Sequence, residues 1–434
     1  MRDLYGLFHS RDILLCVADQ ISSPLDLYNL HLVNRTFYQC LFSPLHRRLV
    51  QVASPDGESW LHKAVNHDCL SLAKRLLDHG MDVSVLDRRG ATALLNAAEL
   101  GRSIEFLRLL VDHGIDIDAR SPLTGVNAMF AAVYHGHEHV VSFLLSAGAR
   151  DIYWPAYGIW SPLTLAANQG RVEWLDIFCE HGVDLAFDLG GSRTLLHLAA
   201  VFGRLDFVRK LLDLGVDIET RSVGDYSPLW WAAHVNKKTQ AQVVLLLLER
   251  GAKVYSRTPT DGSPETLLHA VARFGHEATA EVLLRYGMPV DLYSSWGFTP
   301  LHEAIKSRRL RMMQLLVDWG ADVNAKVTTS GLTTLHVAAR QGVPFVRLLL
   351  ENGADPNKLG RYSKSVLHRA AFLEPDVVQL LLDYGADPNI KNNNGQTPLE
   401  VAKSFNCSDV IAKLLQQRAV DAPKDEGETA ENSG

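Results

Sequence analysis

Cysteine is scarce in this sequence. Its 434 residues hold five, at Cys16, Cys40, Cys69, Cys179 and Cys407, an odd count without a C-x-x-C pair. That excludes a disulfide framework and a zinc ribbon, and it points to a reducing compartment, cytoplasmic or nuclear. Long apolar runs are also missing. Val243–Leu248 spans six residues, far short of the roughly 18 that a membrane helix needs. The N-terminus does not read as a signal peptide, because His9, Arg11 and Asp12 interrupt the stretch where an uncharged core belongs. The glycosylation-type triplets Asn34-Arg35-Thr36 and Asn406-Cys407-Ser408 are therefore discounted. Positive charge is not in excess: 43 Lys and Arg face 49 Asp and Glu, net −6. This argues against a general binder of phosphate backbones, so neither nucleic acid nor membrane is expected as a partner. The phosphate-cradling G-x-x-x-x-G-K-[ST], a G-x-G-x-x-G after a strand, H-E-x-x-H and G-x-S-x-G are all lacking. His276-Glu277 and His302-Glu303 begin like a zincin motif, but Ala280 and Lys306 stand where the second histidine is required. No catalytic residue, cofactor or metal ligand is assigned.

What is present is repetition. The length alone would suggest about three globular domains, but an internal period overrides that prior. A residue able to cap a helix N-terminus recurs at Ser59, Thr92, Asn127, Ser161, Thr194, Ser227, Thr266, Thr299, Thr333, Ser365 and Thr397, mostly 32 to 35 residues apart. Each carries a hydroxyl or amide that can accept from the orphan N–H groups of a first turn. Proline follows four of them, where its fixed φ suits the first helical position. A glycine closes each later apolar run, from Gly80 and Gly114 to Gly353 and Gly385, as expected of a left-handed helix end. Between cap and glycine lie two helical patterns. The first is alanine-rich, as in Leu196-His197-Leu198-Ala199-Ala200; the second places larger apolar residues at helical spacing, as in Val377, Val378, Leu380, Leu381 and Leu382. Helices this short are marginal alone in water, so each unit must stack on its neighbours. Burial of each Leu or Val on the second helix contributes about 2 kcal/mol.

Thr299-Pro300-Leu301-His302-Glu303-Ala304 reproduces T-P-L-H-x-A, and Gly353-Ala354-Asp355-Pro356-Asn357 and Gly385-Ala386-Asp387-Pro388-Asn389 share one helix-end segment. In these motifs and in its period the chain resembles ankyrin-repeat proteins over about residues 57–417. The resemblance implies an all-α solenoid of about eleven helix-turn-helix repeats with hairpin loops. It also implies protein binding on the concave face and hairpin tips, without catalysis. The interval from Ser227 to Thr266 is six residues longer than the usual 33, and the excess is expected in Tyr255–Pro264 as a longer hairpin loop. The last repeat has Glu400 in the histidine slot and no G-A-D after it, which suits a terminal cap with a polar outer face.

Residues 1–50 carry no repeat. Apolar residues at 13, 14, 17, 18 and 21 form one helical face; after Pro24, Leu27, Leu30 and Val33 form another. Asp12-Ile13-Leu14, Asp26-Leu27-Tyr28-Asn29-Leu30 and Val33-Asn34-Arg35-Thr36-Phe37 resemble an F-box, with His9-Ser10 standing where that family has Leu-Pro. The whole is similar to fungal-type F-box/ankyrin proteins. The resemblance implies a small three-helix domain that recruits the Skp adaptor of a cullin-RING ubiquitin ligase through Ile13, Leu14, Leu30, Val33 and Phe37.

Eighteen histidines invite a metal reading. Six of them, His62, His197, His269, His302, His336 and His368, take the fourth place of the repeat. There a neutral imidazole can bond the hydroxyl and backbone of its own and the next repeat. His135-Gly136-His137-Glu138-His139 is the densest cluster, and Gly136-His137 fits an ordinary turn between helices. Aromatic residues are better candidates for partner contact: Tyr153, Trp154, Tyr157 and Trp231, with Trp230 assigned to packing. Trp160, Tyr293 and Trp296 lie in hairpins as well. The place after the histidine slot adds Lys63, Asn96, Glu303 and Arg369. Residues 421–434 hold five acids and one lysine, so this tail is expected to be disordered and solubilising. Two functions fit: a substrate receptor that joins a captured protein to ligase machinery, or an ankyrin scaffold whose N-terminal helices only cap the solenoid.

Overall fold

The computed structural model describes residues 59–153, 160–235, 237, 239–254, 265–406 and 408–421. The F-box-like segment 1–50, Trp154, Tyr157, the loop 255–264 and the tail beyond Asp421 lie outside the described residues. The chain divides into two compact units, Met1–Ala199 and Ala200–Gly434. In each, helix pairs follow one another as a solenoid, eleven pairs among the described residues, from Trp60–Asn66 with Leu70–Asp78 to Pro398–Ser404 with Asp409–Asp421. An isolated antiparallel bridge joins Lys326 and Thr333.

The expected caps sit at the helix starts. Thr92 Oγ1 accepts from the Leu95 amide at 3.1 Å and Asn127 Oδ1 from the Phe130 amide at 2.8 Å. At Thr299 the cap is reciprocal: its hydroxyl accepts from the His302 amide while its own N–H donates to His302 Nδ1. The closing glycines all take positive φ. Gly385, at φ 82°, has open space where a side chain would begin, so conformation alone selects glycine there. Inner helices bury small residues, as at Ala97, Ala98, Ala166 and Ala167, and pack closely on the next inner helix. Outer helices bury one stripe, Val140, Val141 and Leu144 in one case and Met312, Met313 and Leu316 in another.

A ladder of side chains joins successive hairpins. Asn324 accepts from the Asp355 amide at 2.9 Å and donates to the Gly353 carbonyl at 3.1 Å; Asn357 does the same to Asp387 and Gly385 at 2.7 and 2.9 Å. Asp118 accepts from the Arg150 and Asp151 amides in the first unit. These bonds satisfy loop amides that helices cannot reach.

Repeat six corrects one expectation. Gly251 lies 24 residues after Ser227, against 21 from Thr299 to Gly320. Half of the six-residue excess therefore falls before the glycine. It lies in the connection from Pro228–His234 to Gln240–Glu249 and in one additional residue of that second helix, and only half falls in the loop that follows. Repeats nine and ten depart the other way. The first helix of repeat nine shrinks to Thr334–Ala338, and that of repeat ten is a 3-10 helix, Val366–Phe372. The final helix buries little beyond Ile411 and Leu415, which gives the polar outer face expected of a cap.

Candidate protein-interaction surface

The histidine slot is structural. Its shared geometry is clearest at His269, His336 and His368: Nδ1 faces the capping residue, and Nε2 meets a hairpin carbonyl of the next repeat, Phe298 O, Lys364 O or Gln396 O, at 2.8 to 3.1 Å. A backbone N–H reaches Nδ1 at Thr194, Thr266, Thr299 and Ser365. That N–H can only donate, so Nδ1 is the acceptor and the proton resides on Nε2. Burial holds His269 below the usual imidazole range and takes His302 and His336 down to about 4. His302 departs in one respect: its Nε2 is buried without a hydrogen-bond partner among the described residues. The hairpin beyond it is one residue longer, and Val327 N donates to the Leu332 carbonyl.

The clustered histidines 135, 137 and 139 do not converge. His137 Nε2 meets the Glu99 carbonyl and His139 Nε2 the Arg102 carbonyl, each at 3.1 Å, while His135 is exposed at the end of helix Ala128–His135. Among the described residues no group of His, Cys, Asp and Glu is placed to hold a metal ion.

The place after the histidine slot proves more buried than its sequence position suggests. Asn96 is 1% exposed; it accepts from Arg89 at 3.0 Å and donates to Asp87 at 3.3 Å. Glu303 is 2% exposed and pairs with Arg273 at 3.2 Å and Lys306 at 3.1 Å. Lys63 is buried with its ammonium 4.9 Å from the Trp60 ring centroid. These three, expected as partner contacts, are buried among partners of their own or the preceding repeat: Asp87 and Arg89 for Asn96, Arg273 and Lys306 for Glu303, Trp60 for Lys63. Trp231 and Arg369 remain half-buried. Trp231 donates from Nε1 to Ser222 Oγ at 2.9 Å, and its indole edge meets the Tyr226 and Trp230 rings. Tyr153 braces two hairpins: its ring stacks on Phe187 at 4.1 Å and its hydroxyl accepts from the Asp184 amide at 2.8 Å.

Two of the surfaces open to solvent lie along the inner helices. In the first unit an open groove of about 240 Å³ is lined by Arg89, Leu95, Glu99, Phe130, Tyr134 and His135. Tyr134 is 60% exposed and lies one turn beyond Phe130, with the two rings stacked at 6.3 Å. The i, i+4 spacing on the inner helix was the signal for this pair, and sequence reasoning passed over it. In the second unit rings step along the inner helices: Tyr226 to Trp230 at 3.9 Å, Trp230 to His234 at 4.5 Å, His234 to Phe274 at 4.7 Å. Trp230 therefore stacks within its own repeat and stays partly open to solvent.

Aromatic rings mark both surfaces. They lie beside charged groups, the composition of protein contact sites.

Comparison with known proteins agrees with this geometry. The family described as "Ankyrin repeats (3 copies)" matches residues 38–121, 61–153, 131–222, 163–258, 229–327, 326–392 and 367–431. The chain is 28% identical over 298 residues to "Ankyrin repeat protein nuc-2" of Neurospora crassa, covering 68% of this chain and 24% of that protein. It is 27% identical over 425 residues to "Transient receptor potential cation channel subfamily A member 1" of Homo sapiens, covering 86% and 38%. To "E3 ubiquitin-protein ligase KEG" of Arabidopsis thaliana it is 24% identical over 305 residues, covering 68% and 18%. It thus spans well under half the length of these relatives. With the period, the caps, the histidine slot and the family match in agreement across nearly its whole length, the chain belongs to the ankyrin-repeat family and has that family's protein-interaction fold.

Proposed function

We propose that this chain is a non-catalytic substrate receptor, which holds a protein on its repeats and joins it to an SCF-type cullin-RING ubiquitin ligase through residues 1–50. The observation that carries the reading is the agreement of three sequence blocks, 12–14, 26–30 and 33–37, with the F-box pattern. The open aromatic surfaces at Phe130 and Tyr134 and at Trp230 and Trp231 support the capture half. A relative named as a ubiquitin-protein ligase with a similar repeat array is consistent with the same pairing. The mechanism is proximity: two sites on one chain raise the effective concentration of ligase at the captured protein's lysines. The cytoplasm and nucleus, where that machinery works, are the compartments proposed.

The scaffold reading has its own support, since the family match begins at residue 38, inside the F-box-like segment. Co-purification with the Skp adaptor separates the two. The receptor reading expects a complex with the intact chain and its loss in Leu14→Asp and Val33→Asp. No complex with the intact chain leaves the scaffold.

A further inference from the structure

The chain is acidic overall, yet residues 326–373 hold seven basic side chains and two acidic ones, net +5. One inner-helix network of the second unit is paired: Arg273 and Lys306 meet Glu303, and Arg273 also meets Glu265, just before its helix. Arg340 stands at the same repeat position as Arg273 and Lys306, four residues after the histidine slot, but in the turn beyond the shortened helix Thr334–Ala338; it is exposed with no carboxylate partner among the described residues. Arg369, Lys326, Arg361 and Lys364 likewise have no ion pair among the described residues. The hairpin carrying Arg361 and Lys364 lies directly over repeat nine. There the Lys364 carbonyl is 3.1 Å from His336 Nε2, and a Cβ on Gly360 would come within 3.2 Å of the same atom. Of the two acids, Asp355 is engaged by the Asn357 amide of its own turn, and Glu351 ends the outer helix Val343–Glu351.

Desolvation and then the neighbouring Arg340 press Arg369 below the usual guanidinium range, the direction expected of a cation lacking a counter-charge. Lys326 and Arg369 both act on the buried His336 in the sense that opposes its protonation.

Beside these cations sits uncovered apolar surface. Side chains three apart eclipse on a 3-10 helix, so Val366–Phe372 presents Arg369 and Phe372 along one line. Phe372 is 64% exposed and meets Phe405, itself 60% exposed, at 5.2 Å.

We propose that repeats nine and ten bind an acidic segment of a partner protein that carries a bulky apolar residue, its carboxylates meeting Arg340 and Arg369 and its apolar side chain covering Phe372 and Phe405. This inference rests on the reading of the repeats as a protein-binding array. Charge complementarity selects the occupant: five unpaired cations on adjoining elements repel a basic segment and attract carboxylates, and the aromatic pair suits an apolar anchor among them.

The test uses the full chain and a fluorescein-labelled twelve-residue peptide of Asp and Glu with one central Phe, read by fluorescence anisotropy. Affinity is expected to fall about tenfold in Arg340→Glu/Arg369→Glu and about threefold in Phe372→Ala, and to weaken as salt rises. Arg311→Glu/Lys413→Glu, on exposed outer-helix positions outside that stretch, is expected to bind as the parent does. Circular dichroism melting of each variant separates lost binding from lost folding. Unchanged affinity in the first double variant, equal loss in the outer-helix control, or tighter binding of a twelve-nucleotide oligothymidylate overturns the proposal. A chain that co-purifies with the Skp adaptor but ignores the peptide loses this inference alone. One that binds the peptide here but not the adaptor loses the ligase reading alone.

Discussion

Acidification is expected to unlock the repeats at their histidine slots, and the size of the effect follows from two residues. His302 and His336 are buried on inner helices, and burial brings each down to about 4; in an unfolded chain each titrates near about 6.5. The folded values are the lower ones, so between these limits the unfolded chain binds more protons. Stability is whole above about pH 6.5 and falls as the pH drops toward about 4. At about pH 5 linkage gives a loss on the order of 2 kcal/mol per histidine, on the order of 4 for the pair, against a total of about 5–15 for a typical domain. The geometry explains the cost. The Thr299 amide donates to His302 Nδ1 at 3.2 Å, so a proton placed on Nδ1 faces another donor and breaks the cap. Urea unfolding followed by fluorescence at about pH 7.5 and about pH 5 measures the loss. The control is His302→Gln/His336→Gln, since glutamine suits the third position of a capping box and does not titrate. The parent is expected to lose more stability than the variant between the two pH values, by roughly 4 kcal/mol. The same pH-dependent shift in both proteins would refute the reasoning, because carboxylates are common to both.

Other outcomes follow from the same geometry. Asn357→Ala removes both bonds between consecutive hairpins; it should cost about 1–2 kcal/mol and speed hydrogen exchange at the Asp387 amide. Gly385→Ala meets no atom and carries only backbone strain of about 1–2 kcal/mol. Gly297→Ala would place its Cβ 2.7 Å from the Thr328 backbone nitrogen and should lower the melting temperature further. Leu316→Ala in the buried outer stripe should cost about 2–5 kcal/mol by thermal or urea unfolding.

The sequence by itself determined the repeat, its caps and its closing glycines. Those are local demands: an orphan amide at Leu95 or Phe130 needs an acceptor three residues back, and a helix end such as Gly385 needs a left-handed residue, whatever lies further away. It determined the histidine slot for the same reason, through a bond three residues long. Tertiary structure decided which places remained open. Asn96 and Glu303 share a position with Trp231 and Arg369, yet the first two are buried and the last two half-open. The difference lies in whether a cation reaches them, Arg89 from the hairpin before Asn96 and Arg273 from the repeat before Glu303. The bare Nε2 of His302 and the unpaired cations of repeats nine and ten belong to that second class. Each depends on what a neighbouring repeat supplies from about 30 residues away, where a ridge of side chains meets its groove and no one-dimensional period carries the distance.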